Sequence, residues 1–175
     1  SASDASFTAE IKPHAQGRPR VMCRGKYPHV YERDKDRNWK EAFLTMMKSN
    51  PDLVAAAKKI KSAETPMHLT IIFHMPTPKY RKKKVEKAQE AGSFFLVDKK
   101  PDLDNMEKAV MDAMEDFLYD NDNCVASKWT MKVYATDQPK VEVHAKVIPF
   151  WMRYDLVRRL IGLFDAWWPT TAKAA

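Results

Sequence analysis

Glycine is scarce in this chain: four residues in 175, at Gly17, Gly25, Gly92 and Gly162. That excludes a glycine-rich loop cradling a nucleotide phosphate. Cysteine is scarcer still, with only Cys23 and Cys124 and no Cys-x-x-Cys pairing. A disulfide framework and a cysteine zinc site are therefore excluded, and a reducing compartment is expected. The histidines His14, His29, His68, His74 and His144 show no zinc-ligand spacing, and no Ser, Cys or His nucleophile motif occurs. His68, His74 and His144 fall in strand-like segments and read as core or surface imidazoles. No apolar run reaches membrane-spanning length, no signal-peptide pattern opens the chain, and there is no internal repeat or low-complexity tract.

What the chain has is charge. Lys plus Arg is 30 against 23 Asp plus Glu, a net +7. That excess favours a polyanionic partner, either nucleic acid or an anionic membrane surface. A length of 175 residues suits one domain with a real core.

Periodicity supplies the elements. Residues 1–6 are small and polar and read as a disordered tail. Residues 7–13 alternate as a strand, and 14–31, with Gly17, Pro19, Gly25 and Pro28, read as a loop or hairpin. Trp39, Phe43, Leu44, Met46 and Met47 predict a helix over 33–48, stopped by Asn50-Pro51, with a further helix over 52–61. Pro66 to Met75 is strand-like. Residues 79–91 form a short, very basic helix or basic loop. The best-defined helix is 103–117: Leu103, Met106, Val110, Ala113, Met114 and Phe117 share one stripe, and Asp104, Lys108, Asp112 and Glu115 lie opposite. Residues 124–136 and 140–149 alternate like a strand pair around Asp137-Gln138-Pro139. Residues 150–168 form an amphipathic helix with Trp151, Tyr154, Val157, Leu160, Ile161, Phe164 and Trp168 inward. Strands and helices mix without regular β-α-β alternation, which predicts an α+β fold, a single mixed sheet covered by helices. The expected organisation is a domain over 7–149 and a helical extension over 150–168.

The segment 97–125 carries the chemistry. Asp102 and Asp104 stand at a helix start behind Lys99, Lys100 and Pro101; Asp120 and Asp122 follow the helix. An Asp at a helix start is usually a cap or a favourable charge on the helix dipole. Here Asp104, Lys108 and Asp112 form an i, i+4, i+8 row, a second Asp-x-Asp follows, and two lysines lie where a phosphate could be held. Mg²⁺ suits such ligands, because it binds through one or two carboxylates plus substrate phosphates and keeps several waters. On a phosphodiester it would neutralise charge and generate a nucleophile from water. A lysine can stabilise the extra transition-state charge. An EF-hand reading of Asp120-Asn121-Asp122-Asn123 fails, since Val125 stands where glycine is needed and Met131 where the closing Glu is needed.

Lys100-Pro101-Asp102-Leu103-Asp104-Asn105, then Lys108, Asp112-Ala113 and Leu118-Tyr119-Asp120-Asn121-Asp122-Asn123-Cys124-Val125, resemble the RusA family of Holliday junction resolvases. Gln16-Gly17-Arg18-Pro19-Arg20 resembles that family's N-terminal motif, so the likeness covers about residues 7–148. The resemblance implies a RusA-like, homodimeric, Mg²⁺-dependent endodeoxyribonuclease that nicks four-way junctions in pairs, with Mn²⁺ as an alternative metal. It implies that Asp102, Asp104 and Asp122 are the essential, metal-holding carboxylates, Lys108 the catalytic-site lysine and Asp112 an accompanying acid. It also implies a bacterial or phage-infected host cytoplasm and a phage or prophage origin. One position departs: the family has two adjacent aspartates where this chain has Asn121-Asp122.

The spacing raises a difficulty. A helix over 103–117 puts its ends roughly 20 Å apart, and the five residues 118–122 reach at most about 17 Å. Either the chain runs straight back along the helix, or a two-fold dimer brings Asp122 of one subunit to Asp102 and Asp104 of the other.

Arg18, Arg20, Lys82, Lys83, Lys84, Lys99 and Lys100 are the candidate DNA contacts. Lysine and arginine on phosphate give affinity without sequence readout. Trp151, Trp167 and Trp168 read as packing against the sheet or a dimer mate, with stacking at the open centre of a junction as the alternative, and Asp155 and Asp165 argue against a membrane-surface helix. Two other functions compete: a non-catalytic branched-DNA-binding protein with a structural acidic cluster, and a metal-dependent enzyme acting on another phosphate substrate.

Overall fold

The computed structural model describes residues 4–18, 20–24, 27–63 and 66–151, with side chains of 19–30 outside the description. The C-terminal helix expected over 150–168 lies almost wholly outside the described residues.

Four strands form one mixed sheet in the order β1-β6-β4-β5: β1 (Asp4–Ala9), β4 (Met67–Met75), β5 (Val125–Tyr134) and β6 (Lys140–Val147). A separate hairpin pairs β2 (Arg20–Arg24) with β3 (Tyr27–Tyr31), setting Met22 opposite His29. The helices are α1 (Asp34–Lys48), α2 (Pro51–Ser62), α3 (Lys82–Glu90) and α4 (Leu103–Met114). This is the α+β arrangement expected from the periodicities.

The core lies between one sheet face and α1, α2 and α4. Leu69, Ile71 and Phe73 of β4 and Val141, Val143 and Ala145 of β6 alternate inward. They meet Phe43, Met47, Leu53 and Ile60 from α1 and α2, and Met106, Val110 and Met114 from α4. Asn50 starts α2 by accepting from the Leu53 amide at 3.1 Å, with Pro51 in the first turn.

Three expectations are corrected. First, β5 and β6 are not partners: β4 lies between them, parallel to β5 and antiparallel to β6. Alternation shows that a segment is a strand but does not choose its neighbour. Second, α4 ends at Met114. The Tyr119 hydroxyl donates to the Met111 carbonyl at 2.8 Å, and the chain turns through Asp116 at φ 64°. The Met111 carbonyl also accepts the last helical bond, from the Glu115 amide at 3.2 Å, so Tyr119 is its second donor, and Phe117 reaches the core from a turn. Third, the first strand begins at Asp4 and ends at Ala9, so Asp4–Ser6 pair with β6 instead of forming a tail.

The basic segment is held firmly. A 3₁₀ turn (Lys79–Arg81) leads into α3, and Val85 is buried. The Arg81 guanidinium sits 5.5 to 5.7 Å from the rings of Tyr80, Phe95 and Tyr134. Gly92, at φ 68°, closes α3: its amide donates to Gln89 and the Ser93 amide to Ala88. The chain then pairs briefly with the outer edge of β5, Leu96 beside Val133, before reaching the carboxylates.

Candidate active site

The approach to the carboxylates is fixed by one strand residue. Lys132 donates from its ammonium to the carbonyls of Lys99 and Pro101, both at 2.8 Å, and the Val97 amide donates to the Lys132 carbonyl at 3.0 Å. The Lys100–Pro101 peptide bond is cis. Asp102 occupies the N-cap position of α4, yet its carboxylate makes no capping hydrogen bond. Asp104, in the first turn, is exposed, and neither carboxylate has a hydrogen-bond or ion-pair partner among the described residues. The capping explanation of Asp102 therefore fails: the side chain is left available. Lys100 and Lys108 are likewise exposed beside this pair, and Lys99 makes a surface contact with Asp98 at 3.6 Å.

The second acidic group splits in two. Asp120 is paired with Lys61 at 2.6 Å. Asp122 is exposed and, among the described residues, unpaired, at the start of a 3₁₀ turn (Asp122–Cys124) that Asn121 caps by accepting from the Asn123 amide at 3.0 Å. Burial pushes the Tyr119 phenol far above its ordinary range, and Cys124, Asp122, Glu115 and Asp112 add to the shift. Burial also raises the Cys124 thiol, with Asp122 and Asp120 adding to it, which makes this free cysteine a poor nucleophile.

The two ends of α4 stay apart. Strand β5 runs back antiparallel to α4: Lys128 and Thr130 contact Glu107, and Lys132 contacts Pro101. Asp122 precedes the strand and lies by the C-terminal end of α4, near Tyr119 and Asp112. Val125 and Lys132 are about 23 Å apart along an extended strand. The shorter helix leaves ample chain between Met114 and Asp122, but that chain does not return to Asp104. Among the described residues, no three His, Cys, Asp or Glu side chains come together to hold a metal. The donors present nonetheless fit a divalent cation in kind: two exposed, partnerless carboxylates at Asp102 and Asp104, with room for water and phosphate oxygens.

Asp112 belongs to a different contact. It lies 3.9 Å from Lys40, which pairs with Glu32 at 2.6 Å. Of the other candidates, Lys82, Lys83 and Lys84 are all exposed on α3, and Arg18 is exposed beside the hairpin, whereas Arg20 lies in β2 with its side chain outside the description.

Sequence reasoning missed a buried ion cluster. Asp36, only 2% exposed, accepts from Arg33 Nε and Nη2 at 2.8 and 2.9 Å, from His14 Nε2 at 2.6 Å and from the Gly17 amide at 3.3 Å. The Arg33 hydrogen bonds, aided by His14, hold its carboxyl down at about 2. The loop in this cluster also meets the site: the Gln16 amide donates to the Asn105 carbonyl at 3.0 Å. The one signal available was the Arg33/Asp36 spacing at a helix start, which is common on exposed surfaces.

The family profile described as endodeoxyribonuclease RusA matches residues 10–146. The chain belongs to the RusA family. RusA proteins are endodeoxyribonucleases that resolve Holliday junctions, and as nucleases they depend in general on a divalent metal. Among curated relatives, the chain is similar to the uncharacterized protein YqaN of Bacillus subtilis (strain 168). The two are 30% identical over 141 residues, covering 78% of this RusA chain and 92% of YqaN. No described helix is long and apolar enough to cross a membrane.

Proposed function

We propose that this RusA-family enzyme is a Mg²⁺-dependent homodimer that resolves four-way DNA junctions by paired nicks, with Asp102, Asp104 and Asp122 as its metal-holding carboxylates. The observation that carries this is the state of Asp102 and Asp104: two positions apart, exposed and, among the described residues, unpaired, with Asp102 at a helix start but not spent on capping.

A bound divalent cation there supplies charge neutralisation on the phosphodiester and favours attack by water. The chain's own residues do the rest. Lys132 fixes the Lys99–Pro101 backbone, so the two carboxylates project from a rigid helix start. Lys99 and Lys100 hold the phosphate flanking the scissile bond. Lys108, one helical turn after Asp104, offsets developing negative charge. Asp112, close to Lys40, is an accompanying acid that shapes the field around Lys108. Arg18 contacts phosphate near the carboxylates, and Arg20, Lys82, Lys83 and Lys84 track the arms of the junction.

Asp122 enters from a second subunit in this reading. Its position at the opposite end of α4 supports a composite site, and a two-fold axis would build two such centres, matching the two strands to be cut. The nuclease unit takes in all of β1 and spans 4–149, and it acts in the bacterial or infected-host cytoplasm.

The test is a labelled four-way junction incubated with and without Mg²⁺. Paired symmetric nicks only with the metal, lost in Asp102→Asn and Asp104→Asn but kept in Asp120→Asn, are expected. Tight junction binding by the unsubstituted protein, with no cleavage in Mg²⁺ or Mn²⁺, would overturn the enzymatic reading.

A further inference from the structure

We propose that Asp36 is a positioning residue for DNA cleavage: its buried ion cluster locks the Lys12–Arg18 loop against the first turn of α4, fixing where Arg18 meets substrate phosphate beside Asp102 and Asp104. This rests on the reading of those carboxylates as the cleavage site.

A buried carboxylate is costly unless fully paired. Arg33, three residues earlier, already provides a bidentate partner from the same helix start. The other two donors come from a loop about twenty residues upstream, His14 Nε2 and the Gly17 amide. Asp36 therefore joins α1 to a segment that makes no secondary structure of its own.

The loop is held at further points. Trp39 Nε1 donates to the Lys12 carbonyl at 2.9 Å, and the His14 ring stacks on Trp39 at 5.9 Å. The Gln16 amide reaches Asn105, the residue after Asp104. The Arg33 guanidinium occupies the space over Gly17, where a Cβ would fall 2.1 Å from its Cζ. Position 17 must therefore stay without a side chain for the cluster to form. Arg18 follows this clamp directly and is exposed. An exposed arginine on an unclamped loop would sample many positions, whereas this one starts from a backbone tied both to α1 and to the carboxylate turn.

The experiment is single-turnover nicking of a four-way junction at saturating protein and Mg²⁺, with junction affinity measured separately in Ca²⁺. Asp36→Asn, Gly17→Ala, Arg18→Ala and the double variant Asp36→Asn/Arg18→Ala are compared. Misplacement of a substrate contact can cost about a hundredfold in rate, so Asp36→Asn and Gly17→Ala are expected to slow nicking about tenfold to a hundredfold while affinity changes less than about threefold. Because Asp36 acts through Arg18, the double variant is expected to be no slower than the slower single variant. Losses that multiply, as they do for independent residues, would overturn the proposal, as would wild-type nicking by Asp36→Asn. If Asp36→Asn fails to give a wild-type circular dichroism spectrum, Gly17→Ala with Arg18→Ala decides by the same rule. If the unsubstituted enzyme does not nick, the cleavage reading fails; if it nicks and Asp36 and Arg18 act independently, only this inference fails.

Discussion

The Lys132 ammonium donates to the Pro101 carbonyl at 2.8 Å, so a strand residue thirty positions downstream fixes the backbone just before Asp102. The same nitrogen reaches the Lys99 carbonyl. Hydrogen bonds from charged groups contribute about 1.5–3 kcal/mol each, enough to hold one turn in place. Lys132→Met keeps the apolar stem and removes the donors. The expected outcome is slower nicking and a higher Mg²⁺ requirement, with a melting temperature lowered by about 6–24 °C, since each kcal/mol is worth about 2–4 °C in a chain of this size. A metal titration of the nicking rate checks it; an unchanged half-saturating concentration counts against a positioning role.

Asp102 and Asp122 lie at opposite ends of α4, which makes complementation between subunits testable. Combine an Asp104→Asn chain with an Asp122→Asn chain. If each centre draws on both subunits, one intact centre remains, and the mixed dimer nicks one strand of a junction. If each centre lies within one chain, both are broken and the mixed dimer binds without cutting. Differently tagged chains purified as heterodimers, assayed on junctions labelled on each strand, separate the two outcomes.

Much of this was legible in the chain. The apolar stripe of α4 and the runs around Phe43 and Ile71 predict their elements, because a buried face imposes its period on the sequence. Asp102, Asp104 and Asp122 stand out because acidic pairs are conspicuous in a basic chain. What sequence could not show depends on contacts between distant residues. The end of α4 lies where the backbone leaves the helix at Glu115 and turns through Asp116, which the apolar pattern, continuing to Phe117, does not show. The insertion of β4 between β5 and β6 is a pairing choice that alternation does not encode. Asp36 looks like any polar residue on a helix until His14 and Gly17 are seen folded over it.

Arg81 anchors the basic helix by its ring contacts, leaving Lys82, Lys83 and Lys84 exposed at its start. Replacing these three by alanine is expected to weaken junction binding at low salt and to flatten the dependence of log K on log salt. Each lost phosphate contact lowers the slope by about 0.9 on duplex arms, so three contacts lower it by about 2 to 3. Single-turnover nicking at saturating protein should change little, because these lysines act on affinity. Affinity measured from about 50 to 200 mM salt checks this, and an unchanged slope would show that the lysines are only a solvated face.

The Asp36 cluster also sets an acid limit on the fold. Its carboxyl is held at about 2, against 3.8 for an ordinary aspartate, chiefly by the Arg33 hydrogen bonds. A group whose pKa is depressed on folding contributes stability above its unfolded pKa and loses it as pH falls through the folded value. The contribution is therefore complete near neutrality and disappears between about pH 4 and pH 2, amounting to about 2 kcal/mol. Asp36→Asn removes the titrating group and leaves the partly exposed Arg33 facing an amide. It is expected to unfold more readily at pH 7, with the gap to the unsubstituted protein narrowing below about pH 4. Urea denaturation at pH 7, 4 and 3 measures that gap; a difference that stays constant over the range would show that the Asp36 carboxylate is not held in its charged form by this cluster.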